Sequence, residues 1–303
     1  MIERLIRYRY QVFRRLTQAG IVALFVAGFR WDWTLGGLEP VAGNLSASRL
    51  FGAVPLADPF AAVQIGLTGH GLLSDAVLGA LIVAGFYLLV GGRAFCAWVC
   101  PMNVVTDAAG ALRRRLSPGP GLRGDRRLRY GALSLALALS AVTGVAAFEW
   151  VSPVGMLQRG LIYGMGWGWL AVLAVFLFDA LLLRHGWCGH LCPLGAFYSL
   201  LGRFSPLRVR FAPERCDSCG VCHQVCPEPQ VLPLRALARR RWVTSGNCTN
   251  CGECIAACPQ DCFAFGVRGW RRPAPPQALA RPVPAGPLPL TDDTNPPGRA
   301  ART

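Results

Sequence analysis

Four stretches of apolar residues, separated by arginine-rich segments, dominate the first two thirds of the chain. They run from Leu16 to Phe29, Leu72 to Gly92, Tyr130 to Phe148 and Leu161 to Leu183. As helices, the last three are long enough to cross a hydrocarbon core of about 30 Å, whereas the first is marginal. A signal peptide is the alternative for the first stretch, but no small-residue cleavage site follows and Arg30 interrupts it. We therefore predict four transmembrane helices.

The distribution of arginine predicts how these helices are oriented. All 31 basic residues are Arg, and the net charge is +15. Five precede the first stretch and eight lie between residues 93 and 129, but only two lie between residues 30 and 70. The positive-inside rule then places both termini and the middle connection in the cytoplasm. Anionic lipid is the partner that such arginines fit, and their interleaving with apolar stretches argues against nucleic acid.

The predicted external connection, Trp31 to Gly71, is long and partly apolar. Its second half, Leu50 to Gly69, contains Pro55 and Pro59 and so cannot form one straight helix. We predict an interfacial or re-entrant segment on the outer membrane face, with a packed amphipathic loop as the alternative.

Two runs of four cysteines with identical spacing lie near the end of the chain, 32 residues apart. The first contains Cys216, Cys219, Cys222 and Cys226, and the second contains Cys248, Cys251, Cys254 and Cys258. Each run is C-x2-C-x2-C-x3-C-P, the spacing of bacterial two-cluster ferredoxins, in which the fourth cysteine ligates the other cluster. We predict one [4Fe–4S] cluster on Cys216, Cys219, Cys222 and Cys258, and another on Cys248, Cys251, Cys254 and Cys226. Structural zinc or disulfides are the alternatives.

A second cysteine pattern, C-x3-C-P, occurs after the second and the fourth apolar stretch. It comprises Cys96 with Cys100 and Cys188 with Cys192. The proline after each motif can occupy the first turn of a helix, so short helices are predicted from Asn103 to Leu116 and from Leu194 to Phe204. The four thiols are candidates for a third metal or cluster site or for a redox-active pair, and simple packing at helix junctions is the alternative.

These motifs together resemble the NapH family of membrane-bound, ferredoxin-type quinol dehydrogenase subunits. The resemblance covers about residues 1 to 270 and extends to the external stretches Gly43–Ser48 and Leu56–Phe60. It implies oxidation of membrane quinol and delivery of electrons toward periplasmic nitrate reductase. It also implies a periplasmic iron–sulfur partner of the NapG type and a membrane-anchored multihaem cytochrome. The alternatives are a methylamine-oxidation membrane ferredoxin, a metal-centre assembly or reductase factor, and an anchor with structural clusters.

Two groups of ionisable residues are candidates for the quinol site, because such residues near membrane ends are costly and often functional. The outer group is His70, Asp75, Asp58, Gln64 and Glu149, and the inner group is His185, His190 and Asp179. The sequence does not choose between these groups. Solvated side chains at helix ends are the alternative for both.

The predicted organisation is an α-helical membrane protein with a small α+β domain of the double-cluster ferredoxin type. Residues 1–203 form the membrane domain, residues 204–270 the cluster domain, and residues 271–303 a tail. The tail holds nine prolines and is predicted to be disordered and cytoplasmic. The thirteenth cysteine, Cys262, is predicted to be a packed satellite thiol. The expected location is the bacterial cytoplasmic membrane, and the expected cofactors are two [4Fe–4S] clusters.

Overall fold

The computed structural model describes residues 2–269, with gaps at 32–33, 35–38, 70, 72, 117–123 and 165, and side chains from residue 9 onward. The predicted tail and His70 lie outside the described residues. The chain forms a helical part followed by a small cysteine-rich unit, which spans residues 207–267.

The helical part contains ten α-helices within the described residues. They are α1 (Ile2–Trp31), α2 (Pro59–Leu67), α3 (Ser74–Val90), α4 (Ala94–Trp98), α5 (Met102–Leu116), α6 (Leu128–Thr143), α7 (Ala147–Val151), α8 (Pro153–Tyr163), α9 (Gly168–Leu177) and α10 (Pro193–Gly202). Two π-helical turns, Phe178–Leu182 and Trp187–Leu191, connect α9 to α10. The buried core includes residues of α3, α6, α9 and α10 together with the C-x3-C-P segments.

The helix lengths differ from the sequence prediction. Within the described residues one helix, the 23-residue segment Arg9–Trp31, is long and apolar enough to cross a membrane, although we expected this segment to be the marginal one. The other three apolar helices, Ser74–Val90, Leu128–Thr143 and Gly168–Leu182, are shorter. Glycines shorten two of these segments. Gly144 (φ 69°) ends α6, and Gly164 (φ 116°) ends α8 and thereby divides the fourth apolar stretch before α9 begins.

The connection between the first and second apolar stretches contains a small sheet that was not predicted from the sequence. Strands β1 (Val41–Gly43), β2 (Ala47–Leu50) and β3 (Val54–Ala57) pair antiparallel in that order. Asp58 then caps α2, accepting hydrogen bonds from the backbone N–H groups of Phe60 and Ala61. Helix α2 buries Phe60 and Gln64 and packs against α3 and α6, so this segment penetrates among the helices.

The two predicted helices after the Cys-Pro pairs are confirmed as α5 and α10. Each begins next to its proline, since proline tolerates the first turn, where its missing N–H has no partner to lose. The second cysteine of each motif therefore lies at the amino end of a helix.

The cysteine-rich unit is built around one antiparallel strand pair, β4 (Leu207–Phe211) and β5 (Phe263–Val267), in which Val209 lies opposite Phe265. Between the strands lie α11 (Val221–Val225), α12 (Leu234–Arg240) and α13 (Glu253–Ala257). Gly220 and Gly252, both left-handed, precede α11 and α13, so the two repeats share one local geometry. Side chains from both strands and all three helices form its core.

Direct contacts join this unit to the helical part. Helix α1 packs on α13, where Arg14 pairs with Glu253 at 2.7 Å. The indole N–H of Trp98, on α4, donates to the backbone carbonyl of Asn250 at 3.0 Å. The C-x3-C-P segments and the two cysteine runs are thereby brought into one region.

Candidate iron–sulfur centres

The eight ferredoxin-type cysteines fall into two groups that exchange their fourth members. The Cys222 thiol interacts electrostatically with Cys216, Cys219 and Cys258. The Cys226 thiol interacts instead with Cys248 and Cys251 of the other run. The structure therefore brings each fourth cysteine to the opposite run, which is the grouping that the spacing predicts for two [4Fe–4S] clusters.

The second group encloses a cavity. Its wall contains Cys226, Cys248, Cys251 and Cys254, with Val209, Val231, Leu232 and Val243 among the apolar residues around them. Backbone N–H groups point at the sulfurs, as when Cys248 accepts from Asn250 and Cys251 accepts from Glu253. Four thiols around an apolar cavity, with amide donors to sulfur, fit an iron–sulfur cluster, because such donors stabilise the negative charge on the thiolates and the cluster.

Cys262 has a contact that the sequence did not reveal. It is buried, as predicted, its backbone N–H donates to the Cys258 sulfur at 3.4 Å, and its thiol faces the sulfurs of Cys216 and Cys258 as a donor that can serve one of them at a time. This donor lowers the pKa of Cys216 and of Cys258 to about 6, whereas burial raises the pKa of Cys222 to about 12. Cys262 thus stabilises the thiolate form of two cysteines in the first group.

The four C-x3-C-P cysteines also converge, although their motifs are 92 residues apart in the chain. The Cys188 thiol interacts electrostatically with Cys192, Cys100 and Cys96. Backbone N–H groups of α5 and α10 donate to the sulfurs of Cys100 and Cys192, respectively. We call this set the membrane quartet. Its sulfurs receive the same kind of amide donor as those of the cysteine-rich unit.

Arg93 connects the membrane quartet to the cysteine-rich unit. Its guanidinium is 2% exposed, lies close enough to the Cys96 sulfur to interact with it electrostatically, and donates to the carbonyl of Cys188 at 3.1 Å. It also donates to the Asn247 carbonyl at 3.0 Å and to Glu228 at 2.6 Å. One buried cation therefore touches both C-x3-C-P motifs and the residues that adjoin Cys226 and Cys248.

Glu228 is the anion at this junction. It is 2% exposed and pairs with Arg93, Arg129 and Arg126. Burial by itself raises the pKa of Glu228, but the three guanidinium groups outweigh burial and lower this pKa to about 2. The carboxylate is therefore ionised in neutral solution and fixes the cysteine-rich unit to the helical part. No local sequence pattern indicates this network, because its members lie up to 135 residues apart.

Three members of the outer group of quinol candidates, Asp58, Gln64 and Glu149, lie close together in the structure. Asp75 forms an exposed ion pair with Arg49, whereas Asp58 is buried and accepts a hydrogen bond from Tyr198 at 3.0 Å. Gln64 and Glu149 are held by Phe148 N–H and Ser46, respectively. Ser46 links Asp58 to Glu149, because its carbonyl accepts from the Asp58 N–H at 2.9 Å and its hydroxyl donates to Glu149 at 2.7 Å.

The inner group is only partly engaged in local structure, because Asp179 Oδ2 and His190 Nδ1 are buried without a hydrogen-bond partner in the described part of the chain. Asp179 accepts a hydrogen bond from the backbone N–H of Trp187 at 2.9 Å, which fixes the π-helical turn before the second C-x3-C-P motif. His190 is buried beside Gly124, and His185 adopts a left-handed backbone conformation with φ 50°.

Comparisons with known proteins agree with this geometry. A family described as a 4Fe-4S binding domain matches residues 75–119 and 165–211, each of which contains one C-x3-C-P motif. A family described as a 4Fe-4S dicluster domain matches residues 208–260. Fold and site together define a ferredoxin-type iron–sulfur protein with an apolar helical part.

Similarity to curated proteins identifies the family. The chain is 46% identical to the methylamine utilization ferredoxin-type protein MauN of Methylorubrum extorquens over 264 residues, covering 86% of the chain and 90% of MauN. It is 41% identical over 264 residues to the ferredoxin-type protein NapH of Escherichia coli and 42% identical over 268 residues to that of Haemophilus influenzae, with the same coverage of both chains. No solved structure matches. The chain belongs to the NapH and MauN family of ferredoxin-type iron–sulfur electron-transport proteins, which confirms the predicted resemblance.

Proposed function

We propose that this protein is the quinol-oxidising subunit of an electron-transfer complex in the bacterial cytoplasmic membrane, and that its electrons go toward periplasmic nitrate reductase. The observation that carries this proposal is the Arg93 junction. It joins thiols at the ends of apolar helices to the ferredoxin-type unit through buried hydrogen bonds. Such continuity is what an electron path between the ferredoxin-type unit and the apolar helices needs.

The eight cysteines of the cysteine-rich unit are the proposed ligands of two [4Fe–4S] clusters. One cluster takes Cys216, Cys219, Cys222 and Cys258, and the other takes Cys248, Cys251, Cys254 and Cys226. When bound, each cluster accepts and donates one electron at a time. The crosswise grouping and the amide donors to sulfur support this assignment.

The membrane quartet is proposed as a third redox or metal centre. Two buried donors next to it, Arg93 Nε and Trp187 Nε1, have no hydrogen-bond partner within the described part of the chain. Buried donors are rarely left unsatisfied, so a sulfur-rich group held by the four thiols fits these positions. The matched amide donors from α5 and α10 support the same proposal, because packing alone does not require them.

We propose four membrane crossings with both termini in the cytoplasm. The 17-residue α3 is about 26 Å long, close to the core thickness of about 30 Å, and π-helical turns and flanking residues extend the fourth segment. The arginine distribution supports the orientation. Reporter fusions after Arg15, Ser48, Arg115, Arg159 and Pro273 should then report in, out, in, out, in. A periplasmic signal at Pro273 is incompatible with this topology.

The proposed partners follow from the family. NapH relatives suggest a periplasmic iron–sulfur subunit of the NapG type, a membrane-anchored multihaem cytochrome and a nitrate reductase system. A role in methylamine oxidation is the second candidate, and the 46% identity to MauN favours it. Complementation separates the two candidates. Restored nitrate respiration in a strain lacking NapH supports the first, and restored growth on methylamine in a strain lacking MauN supports the second.

The electron-transfer proposal itself is tested with purified protein in lipid vesicles. Anaerobic addition of a quinol should generate the EPR signals of reduced clusters, with dithionite defining full reduction. Cys219→Ser should lose one of these signals and part of the iron, since a hydroxyl is a poor ligand for iron–sulfur chemistry. Unchanged iron content in Cys219→Ser would defeat the cluster assignment.

A further inference from the structure

A cavity of about 390 Å³ lies where the helical part meets the cysteine-rich unit. Its volume is in the range of small-molecule sites in proteins, which is about 300–1,000 Å³. From the helical part it is lined by Tyr130, Ser199, Leu200 and Arg203, and from the cysteine-rich unit by residues that include Val231, Ala236, Arg240, Trp242 and Asn247. None of these residues was a quinol candidate from the sequence.

Three polar side chains converge in the cavity wall. The Tyr130 hydroxyl lies 2.9 Å from Ser199 Oγ and donates to Asn247 Oδ1 at 3.1 Å. Ser199 also donates to the Ala196 carbonyl at 2.7 Å. The tyrosine and serine oxygens each retain acceptor capacity, and the asparagine amide adds a donor. This set suits a flat ring with opposite hydroxyl or carbonyl oxygens.

The cavity adjoins the proposed second cluster site. Asn247 immediately precedes Cys248, and Val231 lines both this cavity and the cavity that is enclosed by Cys226, Cys248, Cys251 and Cys254. A molecule bound here is therefore separated from those thiols by about one side chain. An electron donor must bind close to its acceptor, whereas a structural lipid has no such requirement.

The rim combines apolar and cationic groups. Leu200 lines the cavity and is 49% exposed, and Phe204, one turn further on, is 71% exposed. Arg203 and Arg240 are exposed residues of the same wall. Exposed apolar side chains at the end of an apolar helix fit contact with lipid tails, while the guanidinium groups favour an electron-rich oxygen over a cation.

We propose that this cavity binds the headgroup of the quinol, with Tyr130, Ser199 and Asn247 as its hydrogen-bonding residues. The inference rests on the proposed quinol oxidation and gives it a location. The bound quinol loses two electrons and two protons and becomes the quinone. Cys248, Cys251, Cys254 and Cys226 would hold a one-electron acceptor that takes the two electrons singly, and each electron would pass on to a second one-electron acceptor, the centre held by Cys216, Cys219, Cys222 and Cys258 or a redox partner, before the next transfer. Both hydroxyl protons leave to water through the open side of the cavity.

The test uses the full-length, cluster-loaded protein in vesicles and a photoreactive azido-quinone as the probe. Peptide mapping should place the label within residues 199–203 or 230–247, and a short-chain quinol should compete with it. Tyr130→Phe should weaken quinone binding by about 5- to 10-fold, as expected for the loss of one hydrogen bond to a ligand. Ala236→Phe should fill the cavity and abolish labelling. Iron content should stay unchanged in both variants.

Tyr163→Phe is the matched control, because it removes a hydroxyl from an exposed tyrosine on α8 that donates to the Gly43 carbonyl, away from the cavity. It should label and turn over like the unmodified protein. Three results would refute the proposed site without refuting quinol oxidation. They are labelling outside the two mapped segments, competition by anionic phospholipid but not by quinol, and normal labelling of Ala236→Phe. Absence of quinol-driven cluster reduction in every protein, despite reduction by dithionite, refutes the proposed function instead.

Discussion

The membrane quartet and the ferredoxin-type unit position their thiols with the same local device but assemble them differently. In both regions a cysteine near a helix amino end accepts backbone N–H groups. The eight cysteines of the unit lie within residues 216–258, and the repeats complete each other. The membrane quartet forms only when segments 92 residues apart meet. One centre is therefore encoded locally, and the other depends on the packing of the whole helical part.

The two regions also differ in their electrostatic surroundings. The buried cation Arg93 touches the membrane quartet, and Glu228 balances it. In the cysteine-rich unit, the first group lies nearer to solvent, since Cys219 is exposed. The side chain that faces its sulfurs as a hydrogen-bond donor is the neutral Cys262 thiol. The difference suggests that a centre at the membrane quartet is held at higher potential than the cluster of the first group, because a nearby cation favours the reduced form.

The largest expected effect is loss of turnover from changes in the membrane quartet. Cys100→Ala and Cys192→Ala should reduce quinol-dependent electron delivery per folded protein to below about 1%, because a methyl group can neither ligate a metal nor take part in thiol chemistry. Expression and the EPR signals of the two ferredoxin-type clusters should persist. Leu133→Ala, a buried neighbour in the same apolar core, should cost about 2–5 kcal/mol of stability but leave turnover per folded protein intact. Near-normal turnover in both cysteine variants would show that the four thiols only pack at helix junctions and hold no redox or metal centre.

The junction between the regions should be the next most sensitive point. Glu228→Gln leaves three guanidinium groups without their anion, and breaking a buried pair in this way costs about 3–5 kcal/mol. We expect a lower unfolding temperature and earlier proteolytic release of the cysteine-rich unit. Glu214→Gln, which breaks a more exposed pair with Arg241, should cost only about 0–1 kcal/mol. Equal effects of the two variants contradict a special role for the junction.

Metal removal should distinguish the two groups within the unit. Cys219 is exposed, whereas Cys251 and Cys254 are buried, so a chelator reaches the first group sooner. During anaerobic incubation with chelator, the signal that is absent in Cys219→Ser should decay before the other one. Simultaneous decay indicates that iron leaves by unfolding of the whole unit.

The smallest expected effect concerns Cys262. Cys262→Ala removes a thiol that can donate a hydrogen bond to the Cys216 or the Cys258 sulfur. The midpoint potential of the first cluster should fall by about 40 mV, which corresponds to the loss of about 1 kcal/mol from a one-electron couple. The second cluster serves as an internal control in the same redox titration. An equal shift at both clusters, or at neither, shows that the hydrogen bond does not tune the potential.

Features that depend on neighbouring residues were predicted from the sequence, whereas features that depend on distant contacts were missed. The cysteine spacing and the helices after Cys100-Pro101 and Cys192-Pro193 depend on a few neighbouring residues, so both were predicted from the sequence. The strands β1 to β3 were missed because they are three or four residues long and one contains Pro55. The Arg93–Glu228 junction and the cavity at Tyr130 depend on contacts between distant segments, which no local pattern records.

Quinol-driven reduction of the clusters tests the central claim most directly. Purified protein in vesicles is mixed anaerobically with excess short-chain quinol, and EPR spectra are compared with those after dithionite. Our account predicts quinol-induced cluster signals that are lost in part in Cys219→Ser, that are slowed in Ala236→Phe and that form at the normal rate in Cys192→Ala. Clusters that dithionite reduces but that quinol leaves oxidised, also with the periplasmic partner subunit present, contradict it.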